Sequence, residues 1–178
     1  MSRKVALLRG VNVGGRKLPM AALRELCTEL GWRDVETYIQ SGNVVFAAPG
    51  KAAALEAALE RAIDKLFGMK VPVIVRSESQ LQAYLDGNPF PEAAREAPNW
   101  LLLLVAKQPP AKGAETALTA RATAGEQVGR ADDGLWIRYP EGVGTSKLSP
   151  TMIDRLVGSP ATGRNHRTVA KLLEMLNR

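Results

Sequence analysis

The chain has 178 residues, 46% hydrophobic and 24% charged, a globular composition long enough for one domain or two small ones with no need of disulfide or metal. Its formal charge is +6, with cations dispersed rather than gathered in a tail, so it suits polyanionic or phosphorylated partners without carrying a polybasic arm. No apolar run approaches the ~18 residues of a membrane helix, and residues 1–13 lack the apolar core and cleavage site of a signal peptide, so the expected partners exclude membrane and the expected location is the cytoplasm.

Residues 4–9 read as a strand that enters the stretch LRGVNVGGRKLPM. Pro19 then opens an amphipathic helix over 19–30, closed by Gly31. Cys27 shares its apolar face with Leu23, Leu26 and Leu30 and reads as core; as the lone cysteine it excludes an internal disulfide and suits a reducing compartment. Residues 35–39 and 43–48 form a hairpin through Gln40, Ser41 and Gly42. An alanine-rich helix over 51–67 stops at Gly68, and a fourth strand covers 71–76. The order β-α-β-β-α-β is the ferredoxin-like pattern.

A short helix over 79–85 and a proline-rich connection over 86–99 divide the chain into domains 1–85 and 100–178. The second half begins with an apolar strand at 100–106 and continues with a helix over 111–122. A hairpin over 127–131 and 135–139 turns at Asp133-Gly134. Ser149 and Pro150 start a helix to Val157 as cap and first residue, and the last helix is approached from Thr162 and ends near Leu176. This half repeats β-α-β-β-α without a clear final strand. The expected class is α+β, with two related halves, the first an antiparallel sheet bearing helices on one face. Residues 5–8 and 100–106 are apolar on both strand faces, so the second face of each sheet requires a cover: the other half of the chain, or a second copy in a homodimer.

Three stretches carry possible chemistry. The first is the loop holding Arg9, Gly10, Asn12, Gly14, Gly15, Arg16 and Lys17. It lacks the lysine and hydroxyl spacing of a phosphate-binding nucleotidase loop, and Asn12 stands where a dinucleotide fingerprint needs its second glycine. A cationic loop before a helix start remains, suited to an anion or explained as a tight turn with positive φ. The second is the hairpin turn with Ser41 and Asn43, which ordinary turn chemistry explains and which is expected at the far end of the sheet from the glycine loop. The third combines Lys147, in GVGTSKLSP, with a stripe of Arg164, Arg167, Thr168 and Lys171 on the last helix, opposite a buried stripe of Val169, Leu172, Leu173 and Leu176. Cations near a helix start oppose the dipole and imply an anionic ligand or neighbouring carboxylates such as Asp154. His166 has no assignable triad partners and reads as non-catalytic, and an RNA-stacking sheet is disfavoured because Phe46 is the lone aromatic on the strands that would need them.

The stretches LRGVNVGGRKLPM, TYIQSGNVVF, GVGTSKLSP and TGRNHRTVAKL closely resemble the bacterial DUF1697 family of uncharacterised proteins over nearly the whole chain. The resemblance implies an α+β fold of two related halves, the first ferredoxin-like, and implies no activity. Family members usually carry Trp where His166 stands, which argues against a catalytic histidine. Arg9, Asn12, Gly14, Gly15, Lys147, Arg164, Asn165 and Lys171 fall on family motif positions and are candidates for a shared site. The expected function is binding of a phosphate-bearing small molecule or nucleic acid, with no metal and no cofactor. The alternatives are a metal-independent enzyme in which burial activates Lys17 or Lys147, with Asn12 and Asn165 orienting substrate, and a structural or interaction protein.

Overall fold

Val5, Ala6 and Leu8 have no exposed surface and Leu7 has 4%, so the first strand is apolar on both faces because both faces are covered. The computed structural model describes residues 1–178. In chain order the elements are β1 (Arg3–Leu8), α1 (Met20–Glu29), β2 (Arg33–Tyr38), β3 (Asn43–Ala47), α2 (Ala52–Phe67), β4 (Val73–Ser77), α3 (Glu78–Asp86) and α4 (Pro91–Glu96). They continue with β5 (Leu101–Ala106), α5 (Ala114–Thr119), β6 (Gln127–Ala131), β7 (Gly134–Arg138), α6 (Pro150–Val157), β8 (Ala161–Asn165) and α7 (His166–Leu176). Two antiparallel four-stranded sheets result, ordered β2-β3-β1-β4 and β6-β7-β5-β8. The fold is α+β with two halves of the ferredoxin-like pattern.

The chain forms two units, one of Met1–Gln80 with Leu172–Arg178, the other of Leu81–Lys171. In the first, Ala6, Leu8, Val44, Phe46, Val73 and Val75 face a core completed by Leu23, Cys27, Leu59 and Ile63 from α1 and α2. Trp32 stacks on Phe46 at 3.9 Å between ring centroids. Phe46 is therefore interior, which removes the stacking platform an RNA-binding sheet would need. Burial pushes the Cys27 thiol up to about 12, consistent with a core residue rather than a nucleophile. On the opposite face Val5, Leu7, Val45 and Ile74 are also buried within the single chain. Arg3 ties the chain end to this unit, its guanidinium donating to the Met175 carbonyl at 2.6 Å and to Glu36 Oε1 at 2.6 Å.

In the second unit, Leu104, Ala106, Leu135 and Ile137 pack with Leu118, Ile153 and Val157 of α5 and α6. The other face carries Trp136, whose Nε1 donates to the Tyr84 carbonyl of α3 at 2.8 Å. The expected hairpin is present, but its two-residue loop is Asp132-Asp133, with Asp132 at φ +53° and Gly134 already paired with Ala131. Ser149 caps α6 as expected, its Oγ accepting from the Met152 N–H at 3.3 Å. The expected helix over 111–122 is shorter, beginning at Ala114 after Gly113 at φ +80°.

The expectation of a second half without a final strand is corrected by β8, which pairs antiparallel with β5 from Leu102↔Asn165 to Ala106↔Ala161. Its sequence, ATGRN, carries Thr and Arg at buried positions and so lacks the apolar signature of a strand. The repeat reaches individual hydrogen bonds. Just past β1 the Arg9 N–H donates to the Pro72 carbonyl at 3.0 Å, and just past β5 the Lys107 N–H donates to the Pro160 carbonyl at 3.0 Å.

The outer edge of β4 is closed by α2. Glu56 Oε1 accepts from the Val75 N–H at 2.8 Å and Glu60 Oε1 from the Val73 N–H at 2.9 Å, one helical turn matching two strand residues. Removing the Glu56 acceptor strands a buried donor. Glu56→Ala is expected to cost about 1–3 kcal/mol in urea unfolding, whereas Glu56→Gln, which keeps an acceptor oxygen, costs less.

Candidate functional site

The glycine loop begins where β1 ends, and the hairpin turn meets it there. This corrects the expectation that the two lie at opposite ends of the sheet. β1 and β2 both run antiparallel to β3, so both finish at the edge where β3 starts, with Leu7 opposite Asn43. The Leu8 N–H donates to the Gly42 carbonyl at 2.9 Å. Gly42, at φ +84°, has room for no side chain: a Cβ there would stand 2.7 Å from Val11 Cγ2 and 2.8 Å from Leu8 Cβ.

Asn12 fastens the loop. Its backbone is left-handed at φ +56°, a conformation asparagine tolerates better than most residues. Its Oδ1 accepts from the Leu18 N–H at 2.9 Å, and its Nδ2 donates to the carbonyls of Leu18 at 3.0 Å and Gln40 at 2.6 Å. Arg16 reaches the Lys70 carbonyl through Nη2 at 2.9 Å. Gly14, Gly15, Arg16 and Lys17 are exposed, Arg9 and Gly10 partly so. Asn43 Nδ2 donates to the Tyr38 carbonyl and to Ser41 Oγ, which accounts for both residues as turn chemistry. Two features sequence reasoning missed flank the loop: Ile39 sits at φ +50° and is 50% exposed, and Val13 is 60% exposed. The loop leads into α1, whose first turn has neither a side-chain cap nor an acidic residue.

The remaining candidates lie in the second unit. Arg164 is on β8 rather than on the last helix, which corrects its place in the cationic stripe. It is 7% exposed, burial pulls its guanidinium down to about 10, and Nη1 donates to Thr162 Oγ1 at 2.8 Å and to the Gly163 carbonyl at 3.0 Å. Asn165 caps α7, its Oδ1 accepting from the Thr168 N–H at 2.9 Å. Thr168 is buried instead of lying on a polar stripe, while Val169, Leu172, Leu173 and Leu176 are buried as expected. Arg167 is exposed and Lys171 partly exposed, so these two cations remain on the helix surface. Asp154 Oδ1 accepts from the Ala161 N–H at 3.0 Å. His166 opens α7 with its ring 5.5 Å from that of Trp136, and burial lowers its pKa.

Lys147 is exposed, as is Lys17, so neither has the burial an activated lysine needs. The stretch around Lys147 is held by its neighbour. Ser146 Oγ donates to Glu126 Oε1 at 2.6 Å, and Glu126 Oε2 accepts from the Ala124 N–H at 2.8 Å. Burial opposes the Glu126 charge, yet the Ser146 hydroxyl and backbone N–H groups outweigh it and hold the carboxyl below its usual value. Tyr139 is pushed up to about 12 by burial and by the Glu126 charge. No group of three or more His, Cys, Asp or Glu side chains is placed to hold a metal ion, and no helix is long and apolar enough to cross a membrane.

The family described as Protein of unknown function (DUF1697) matches residues 1–136, and the chain belongs to that family. Among solved structures it is similar to the conserved bacterial protein SP0830 from Streptococcus pneumoniae, at 25% identity and a TM-score of 0.76, with 98% of each chain covered. No curated protein matches it.

Two variants separate conformation from bonding at Asn12. Asn12→Ala loses three hydrogen bonds and places alanine at positive φ, for an expected loss of about 2–4 kcal/mol in urea unfolding; Asn12→Gly restores the conformation and recovers about 1 kcal/mol of it. Glu126 supplies a pH test. Its folded pKa lies below the unfolded value, so its contribution is full above about 4.5 and is lost as pH falls through the folded value. Between pH ~5 and ~3 the unfolding midpoint of the wild type should fall further than that of Glu126→Gln.

Proposed function

We propose that the chain binds a phosphate-bearing ligand, a small molecule or a nucleic acid, at the loop between β1 and α1 together with the adjoining hairpin turn. The observation that carries this reading is the start of α1. Arg16 and Lys17 precede it with only Leu18 and Pro19 between, and the first turn offers no acid and no side-chain cap to offset either the cations or the helix dipole. Positive charge gathered at the positive end of a helix is locally unfavourable and becomes favourable when an anion sits there. Asn12 and Gly42 hold the loop against the turn, so Arg9, Arg16 and Lys17 are presented from an ordered backbone.

In this reading the chain works in the cytoplasm, in keeping with its single buried thiol, as a monomer or a homodimer. Arg164 serves the fold through its bonds to Thr162 and the Gly163 carbonyl in β8, Asn165 through the start of α7, and Arg167 and Lys171 are separate cations at the helix surface.

Calorimetric titration with pyrophosphate and with a single-stranded oligonucleotide, across a salt series, tests the proposal. Arg16→Ala/Lys17→Ala is expected to weaken binding about tenfold or more. With the oligonucleotide it should also flatten the slope of log affinity against log salt by roughly one per cation removed. Pyrophosphate binding without oligonucleotide binding assigns a small ligand. Affinity and slope unchanged in the double variant would overturn the site.

A further inference from the structure

The proline-rich stretch before β5 builds a cavity that the anion site does not use. Asn88 Oδ1 accepts from the Phe90 N–H at 2.9 Å, an Asx turn that directs the chain into α4 with Pro91 as its first residue. Gly129 in β6 admits this wall: a Cβ there would stand 2.5 Å from Pro89 Cγ and 3.6 Å from Phe90 Cε2. On the other side the backbone of Gly142 lies against the Trp100 indole, where a Cβ would be 3.6 Å from Cε2. A cavity of about 450 Å³ lies among these residues, within the size range of small-molecule sites.

The lining has a definite chemistry. Trp100 is 48% exposed, while Trp32 and Trp136 are 5% and 0% exposed. Phe90, Pro89 and Pro140 add apolar wall. Glu92 and Glu96, four residues apart on α4, both line the cavity, and no ion pair of the chain involves either. Two carboxylates at that spacing repel, so a cation between them relieves a standing cost. Arg138 is the one cationic side chain in the lining, and its Nη1 already donates to Gln127 Oε1 at 2.9 Å.

An indole that lines the same cavity as two carboxylates without ion-pair partners suits a positive charge carried on apolar carbon, through cation–π attraction and ordinary ion pairing. We infer that the cavity between α4, Trp100 and the loop after β7 is a binding site for an alkylated ammonium or guanidinium group on an apolar frame. Such a group comes either as a free small molecule or as the side chain of a bound peptide. The inference is independent of the anion site, which lies in the other unit and has the opposite charge.

The test is calorimetric titration with choline, with its neutral isostere 3,3-dimethylbutanol, with arginine methyl ester, and with a capped tripeptide centred on arginine. Saturable binding of choline or an arginine probe, with the neutral isostere weaker by roughly tenfold, is the expected result. Glu92→Gln/Glu96→Gln, two changes at exposed positions whose fold is checked by circular dichroism, should weaken cation binding by a similar factor. Trp100→Ala should abolish it, with Trp100→Phe retaining part. A tripeptide tighter than the free ester assigns the peptide source, and the reverse assigns the small molecule. Equal binding of choline and its isostere, no saturable binding of any cationic probe, or indifference to the double glutamine change would each overturn the site.

Discussion

The backbone bond from the Leu8 N–H to the Gly42 carbonyl, at 2.9 Å, is the constraint on which the candidate site depends. It lies just past the Leu7↔Asn43 rung of the β1–β3 ladder and fixes the exit of β1 beside the entry of β3. Everything at that edge follows. The loop leaves β1 directly under the hairpin turn, a side chain at Gly42 would collide with Leu8 and Val11, and the Asn12 amide comes within reach of the Gln40 carbonyl. A slip by one residue would exchange the faces of β1 as well, since Ala6 and Leu8 face the helices while Val5 and Leu7 face away. Register and loop position are therefore set by the same burial.

The second half uses this frame with a different loop. β5 stands between β7 and β8 as β1 stands between β3 and β4, and the bonds from Arg9 to Pro72 and from Lys107 to Pro160 occupy equivalent places. After β1 the chain is Gly-Val-Asn-Val-Gly-Gly-Arg-Lys; after β5 it holds Pro109 and Pro110, whose φ is fixed and whose donors are missing. The edge beside the central strand is covered alike in the two halves: Glu56 and Glu60 of α2 accept from N–H groups of β4, and Asp154 of α6 accepts from the Ala161 N–H of β8 at 3.0 Å. A shared backbone frame with unlike loops is how one fold carries distinct surfaces.

The sequence revealed what local chemistry controls. Amphipathic spacing and terminal signals located α1, α2 and α6, with Gly68 and Ser149 at their expected stations. Alternation and turn residues located both hairpins. β8 is not legible locally, because a strand of Ala, Thr, Gly, Arg and Asn exists only through its pairing with β5, and Arg164 reads as helical in any window that lacks that pairing. The union of glycine loop and hairpin turn escaped for a different reason: it depends on which strands are parallel, a property of the assembled sheet that no local window contains. Asn12 was visible as a departure from a glycine pattern, but its three side-chain bonds depend on the positions of Leu18 and Gln40. The cavity at Trp100 was hidden inside a stretch whose prolines read as a plain connection.

The loop's internal bonding decides how an anion could be held there. In a nucleotide-binding glycine loop successive N–H groups converge on the phosphate. Here the Asn12 N–H donates to the Arg16 carbonyl at 2.6 Å, that of Arg16 to Val13 at 3.1 Å and that of Lys17 to Gly15 at 3.1 Å, while that of Leu18 is taken by the Asn12 side chain. These donors are committed to the loop's own shape. In the proposed reading, recognition at this edge would therefore fall to the side chains of Arg9, Arg16 and Lys17 and to the first turn of α1, where Pro19 supplies no donor and the helical N–H groups begin at Met20. Such an arrangement gathers charge without enclosing a phosphate. It favours a ligand that lies across the edge over one that enters a cradle, and it explains why the residues resemble a phosphate loop in composition while departing from it in order.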